Sequence, residues 1–125
     1  MTPTDLRALA ARVLAEEPSR ELMDAVLIEM GWITDGKDYW RRRGSLTWQR
    51  FPPPNPLTSH DAAFAAMPAG WTYRASNDGC IHVIVWQKIE PDGIIIAHEA
   101  LSLPRALTAA GLLARAVDAE QGDGA

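Results

Sequence analysis

The chain has 125 residues, 47% of them apolar, a formal net charge of −4 and a single cysteine, Cys80. That length supports a hydrophobic core without staples, one thiol excludes an internal disulfide and points to a reducing compartment, and the acidic balance argues against duplex nucleic acid, whose phosphates reward a basic surface. No apolar run reaches the ~18–20 residues of a bilayer-spanning helix, and Met1 to Arg7 mixes acid and base without a signal-peptide core, so no membrane contact and a cytoplasmic location are expected.

Residues 4–16 place Leu6, Leu9, Ala10, Val13 and Leu14 at helical spacing, with Thr2 as cap, Pro3 at the first helical position and Asp5 in capping-box spacing. Glu16-Glu17-Pro18 closes this helix. Ser19 then caps a second, whose stripe is Leu22, Met23, Val26, Leu27 and Met30, with Gly31 where a left-handed residue is wanted. The two form a helical hairpin. Trp32-Ile33-Thr34 and Tyr39-Trp40-Arg41 are β-prone triplets around an Asp35-Gly36-Lys37-Asp38 turn, and Leu46-Thr47-Trp48 is a further extended piece, which together predict a small β-ribbon. Residues 1–50 thus read as one module. Four prolines within residues 52–56 forbid helix or central strand, so 51–57 reads as an extended connector.

In residues 58–119 the pattern changes again. Thr58, with Asp61 three residues on, predicts a short capped helix that buries Ala63, Phe64 and Met67. Trp71, Tyr73 and Ala75 alternate with polar residues, Asn77-Asp78-Gly79 signals a hairpin, and Ile81 to Trp86 forms the most apolar strand. After a turn at 90–93, Ile94 to His98 predicts a third strand. Ser102 caps a final helix whose stripe is Leu103, Leu107, Ala110, Ala114 and Val117, with 120–125 as a frayed tail. The fold class is therefore α+β: a helical hairpin and ribbon, then helix, three-stranded antiparallel meander and helix. Two helices on one sheet face, with the N-terminal module over Ile84 and Trp86 on the other, would make a layered helix–sheet–helix sandwich.

The segment Leu57 to Trp71, the strands after it and Ser102-Leu103-Pro104-Arg105-Ala106-Leu107-Thr108-Ala109-Ala110 resemble small phage and prophage proteins carrying a "phage ABA sandwich" domain. The upstream Pro18-Ser19-Arg20-Glu21-Leu22, Gly31-Trp32 and Tyr39-Trp40 are similar to stretches often found with it. The resemblance covers most of the chain, and its motifs are structural. It implies a phage origin, hence the host cytoplasm, and brings no catalytic residues.

Chemistry-bearing patterns are sparse. Cys80, His60, His82 and His98 lack metal-ligand spacing. A two-residue loop at 90–93 would put His82 and His98 on opposite sheet faces, and a three-residue loop would leave them ~13 Å apart at ~3.3 Å per residue. No nucleophile signature surrounds Cys80 and there is no Gly-rich phosphate loop, so the expectation is no enzyme, no metal and no cofactor.

The aromatic–basic stretch Trp40-Arg41-Arg42-Arg43 and Trp48-Gln49-Arg50 carries the one functional suggestion. Indoles stack a base, guanidinium groups clasp phosphate, and the same residue types anchor protein partners. The candidate ligand-binding residues are Trp40, Arg41, Arg42, Arg43, Trp48 and Arg50. The competing account makes Trp32, Tyr39 and Trp40 ribbon core and the arginines its solvated rim. Functionally this reads as a phage accessory protein that inhibits host defence, by sequestering a signalling nucleotide or by docking on a defence protein. The alternatives are a nucleic-acid-binding module and a virion assembly protein. The apolar edge strand near Ile94-Ile95-Ile96 also suggests a homodimer or a helix covering that edge.

Overall fold

The computed structural model describes residues 2–50, 53–77, 81–87, 96–100 and 102–123. Helix α1 (Pro3–Ala15) starts in a capping box: the Thr2 hydroxyl accepts from the Asp5 N–H, and the Asp5 carboxylate accepts from the Thr2 N–H. Helix α2 (Arg20–Glu29) starts at Ser19, whose hydroxyl accepts from the Leu22 N–H, and ends at Gly31 with φ 101°. Strands β1 (Trp32–Thr34) and β2 (Trp40–Arg42) pair antiparallel, and Arg43 N–H donates to Gly31 O, tying the ribbon to the end of α2. Leu46-Thr47-Trp48 does not become a strand. Its neighbour Gln49 instead makes an isolated bridge with Trp40 through two backbone hydrogen bonds of 2.7 and 2.8 Å.

Helix α3 (His60–Phe64) is capped by Ser59, not Thr58. The buried set differs as well. Ala63 and Ala66 are inside, Met67 is half-buried and Phe64 is exposed, where it leans on the Tyr73 ring at 5.5 Å. Strands β3 (Trp71–Asn77), β4 (Ile81–Gln87) and β5 (Ile96–Ala100) form an antiparallel sheet in the order β3-β4-β5. The register pairs Val83 with His98 and His82 with Glu99, so the two histidines occupy ladder positions of opposite parity. The expected turns at 78–79 and 90–93, and Ile94 and Ile95, lie outside the described residues.

Helix α4 (Leu103–Asp123) continues through 120–123, where a frayed tail was expected, and Glu120 pairs with Arg7 of α1. Its sequence presents more than the one stripe. Ala106, Leu107, Ala110, Ala114 and Val117 pack with Trp71, Val83 and Val85 of the sheet. Ala109, Leu112 and Ala116 pack with Leu6, Leu9, Val13, Leu22, Val26, Leu27 and Trp40. A helix apolar on several sides belongs in the middle of a structure. The layers therefore run α1 and α2, then α4, then sheet. This corrects the expected helix–sheet–helix order: the N-terminal module covers the second face of α4, not that of the sheet, and Ile84 stays 37% exposed.

Polar ties hold α4 in place. The Arg105 guanidinium donates to the carbonyls of Val13, Leu14 and Glu16, satisfying the end of α1 where no backbone partner remains. The buried Thr108 hydroxyl donates to Pro56 O at 2.8 Å, and Arg115 donates to Ala66 O at 2.7 Å. Burial holds the Arg115 guanidinium below its usual range, offset in part by the charges of Glu29 and Asp118. Trp71 Nε1 donates to Asp118 at 3.0 Å, fixing the sheet to the far end of the helix. Among the described residues no helix is long and apolar enough to cross a membrane.

Candidate binding site

Alternation along a strand sends neighbouring side chains to opposite faces. With Trp32 paired to Arg42, Ile33 to Arg41 and Thr34 to Trp40, the ribbon has two unlike faces. Trp32, Thr34, Trp40 and Arg42 share one, and Ile33 and Arg41 occupy the other. The bridge between Trp40 and Gln49 adds Trp48 to the Arg41 face.

The six residues singled out from the sequence are therefore not one site. Trp40 is 2% exposed and fills the core between α1, α2 and α4, so it offers no surface to a ligand. The ribbon has too little interior for its own core and inserts this indole into that of the helices. Arg41 lies 5.1 Å from the Trp48 ring centroid and donates to Ser45 O at 2.8 Å, with Trp48 43% exposed on the outer face. Arg42 lies 4.8 Å from the Trp32 ring on the opposite face. Arg43 and Arg50 are exposed and belong to neither pair. Each cation–π contact stabilises by ~0.5–1 kcal/mol at such exposure and fixes where its guanidinium stands.

The Trp32–Arg42 face opens on a cleft of about 320 Å³ between the end of α2, the proline connector and α3. Leu27, Met30, Pro53, Pro54, Ala62 and Ala65 supply apolar walls, while Arg42, Ser59 and Asp61 supply polarity. The Ser59 hydroxyl is committed to the α3 cap, accepting from the Ala62 N–H at 3.3 Å. Among the described residues the Arg42 guanidinium has no hydrogen-bond acceptor. Asp61 Oδ1 lies 3.8 Å from His60 Nδ1. Trp32, Ser59 and Asp61 were not among the residues chosen from the sequence. Strand parity joins Trp32 to Arg42 once the loop length is known; no local signal brings Asp61 to them.

The hairpin loop is rigidly built. The Asp35 carboxylate accepts from the N–H groups of Lys37 and Tyr39, and these bonds, Lys37 first, hold its carboxyl below the usual range. Gly36, at φ +82°, takes the left-handed turn position. Arg20 of α2 donates to Lys37 O at 3.0 Å, docking the loop on the helix. Among the described residues no three His, Cys, Asp or Glu side chains gather as a metal set. In comparisons with known proteins no family model matches this chain, and neither a curated protein nor a solved structure matches it.

Proposed function

We propose that this is a binding protein that sequesters a small nucleotide-like anion in the cleft beside Trp32 and Arg42. One observation carries the reading: a guanidinium with no acceptor among the described residues, held 4.8 Å from an indole, lines a cleft of about 320 Å³. Ligand sites of ~300–1,000 Å³ with mostly apolar walls and a few polar groups are typical of small molecules, and this volume suits a mononucleotide. Arg42 supplies phosphate recognition, and its outer plane offers a base a stacking surface. The protein's role in this reading is capture, not turnover. Taken with the resemblance to small phage proteins, capture of a signalling nucleotide would blunt a host defence.

A thermal-shift series with nucleoside monophosphates, cyclic nucleotides and ADP-ribose tests the reading. A ligand at a hundredfold excess over its Kd stabilises by ~2.7 kcal/mol. At ~4 °C per kcal/mol for a chain of this size, the transition rises by about 10 °C. Absence of any shift at millimolar ligand, or a shift that survives Arg42→Ala, removes it.

A second reading rests on the other face of the ribbon. Trp48 stands against Arg41, Tyr39 and Leu46 are also exposed, and Trp, Tyr and Arg are the residue types that dominate protein interfaces. Docking on a defence protein through this face would be abolished by Trp48→Ala and untouched by Arg42→Ala.

A further inference from the structure

Resting on the nucleotide reading of the cleft, we infer that its preferred occupant is a guanine mononucleotide, with the phosphate at Arg42 and the base edge at Asp61. The two charges that line the cleft come from different elements, β2 and α3, and they do not pair with each other. Arg42 is the only cation among the described lining residues, and Asp61 is the only anion. A ligand that bridges them needs an anionic end and an end rich in N–H donors.

Nucleobases differ in what they offer a carboxylate, which only accepts. Guanine presents N1–H and the N2 amino group side by side, two donors for the two oxygens. Adenine and cytosine each set one amino donor beside a ring-nitrogen lone pair, which repels the second oxygen. Uracil has a single N–H between two carbonyls. Guanine alone satisfies both carboxylate oxygens. The single guanidinium matches one phosphate; further phosphates would crowd a site whose other charge is negative. Asp61 is fully exposed, so water competes for its oxygens and the preference sits at the low end for a bidentate pair, about fivefold to tenfold.

Isothermal titration of the full chain with GMP, AMP, CMP, UMP and inorganic phosphate decides the matter. GMP should bind about fivefold to tenfold tighter than AMP. In Asp61→Asn one acceptor oxygen becomes a donor, so the gap between GMP and AMP should close, while Arg42→Ala weakens all four nucleotides together. Because Asp61 is solvent-exposed, the variant should keep its fold, which circular dichroism checks. Nucleotides bound without regard to base, or a guanine preference that survives Asp61→Asn, would overturn this inference and leave the nucleotide reading standing. If no nucleotide binds, both fall.

Discussion

Replacing Gly111 by alanine tests how tightly α4 is held against the segment that follows α3. In an exposed helix interior this change stabilises by ~0.8–1 kcal/mol, because glycine has the most backbone freedom to lose. Here a Cβ would lie 2.9 Å from the Ala66 carbonyl carbon, 3.0 Å from its oxygen and 3.1 Å from the Met67 nitrogen. Carbon atoms sit best at ~3.5–4.0 Å, so the new methyl meets three backbone atoms well inside contact distance. Neither side yields easily. Arg115 donates to that same Ala66 carbonyl, and Thr108 anchors the preceding turn of α4 to Pro56. Overpacking of this kind costs ~1–3 kcal/mol; with the propensity gain set against it, the net is a loss of up to about 2 kcal/mol. Urea unfolding followed by far-UV circular dichroism reads this as a midpoint lowered by up to about 1 M at unchanged slope, taking m near the middle of its ~1–3 kcal/mol per molar range for small proteins. A midpoint that rises, as for a glycine facing water, would refute the close approach of α4 to Ala66.

Arg105→Ala removes three charge-assisted hydrogen bonds from the end of α1 and should destabilise by about 2–3 kcal/mol; Arg105→Lys should recover only part, because an ammonium lacks the planar fork. Both are read by thermal unfolding, and a full rescue by lysine would show that charge alone matters. Thr108→Val keeps the side-chain volume but strands the Pro56 carbonyl, at a cost of about 1–3 kcal/mol, and a neutral result in urea would show that the carbonyl finds another donor. The Asp5 carboxyl is held below its ordinary value of 3.8 by hydrogen bonds from Thr2, side chain first. A depressed folded-state pKa gives stability that is present above 3.8 and lost as pH falls through the lowered value. NMR titration of Asp5 should therefore place its midpoint below 3.8, and Thr2→Ala should move it upward. A midpoint unchanged by that substitution would deny the capping box.

Local chemistry was legible in the chain wherever a few adjacent residues suffice. Thr2 with Asp5 and Ser19 with Leu22 start helices because a hydroxyl satisfies N–H groups that have no helical partner. Gly31 ends one because it tolerates a positive φ. The alternation from Trp71 to Ala75 marks a strand, but burial along it fades instead of alternating: Trp71 is buried, Thr72 and Tyr73 are half-buried, and Arg74 and Ala75 are both exposed. Tertiary structure decided what alternation and composition leave open. Alanines are small enough to face helix or sheet equally, so Ala106, Ala109, Ala110, Ala114 and Ala116 carry no mark of which side meets what, and the stacking of α1 on α4 is absent from any local pattern. The same holds for the ribbon. Adjacent Trp40, Arg41 and Arg42 look like one cluster in the chain, but pleating turns Trp40 inward, Arg41 toward Trp48 and Arg42 toward Trp32. Only the long-range packing of α3 brings Asp61 to the cleft that Arg42 lines.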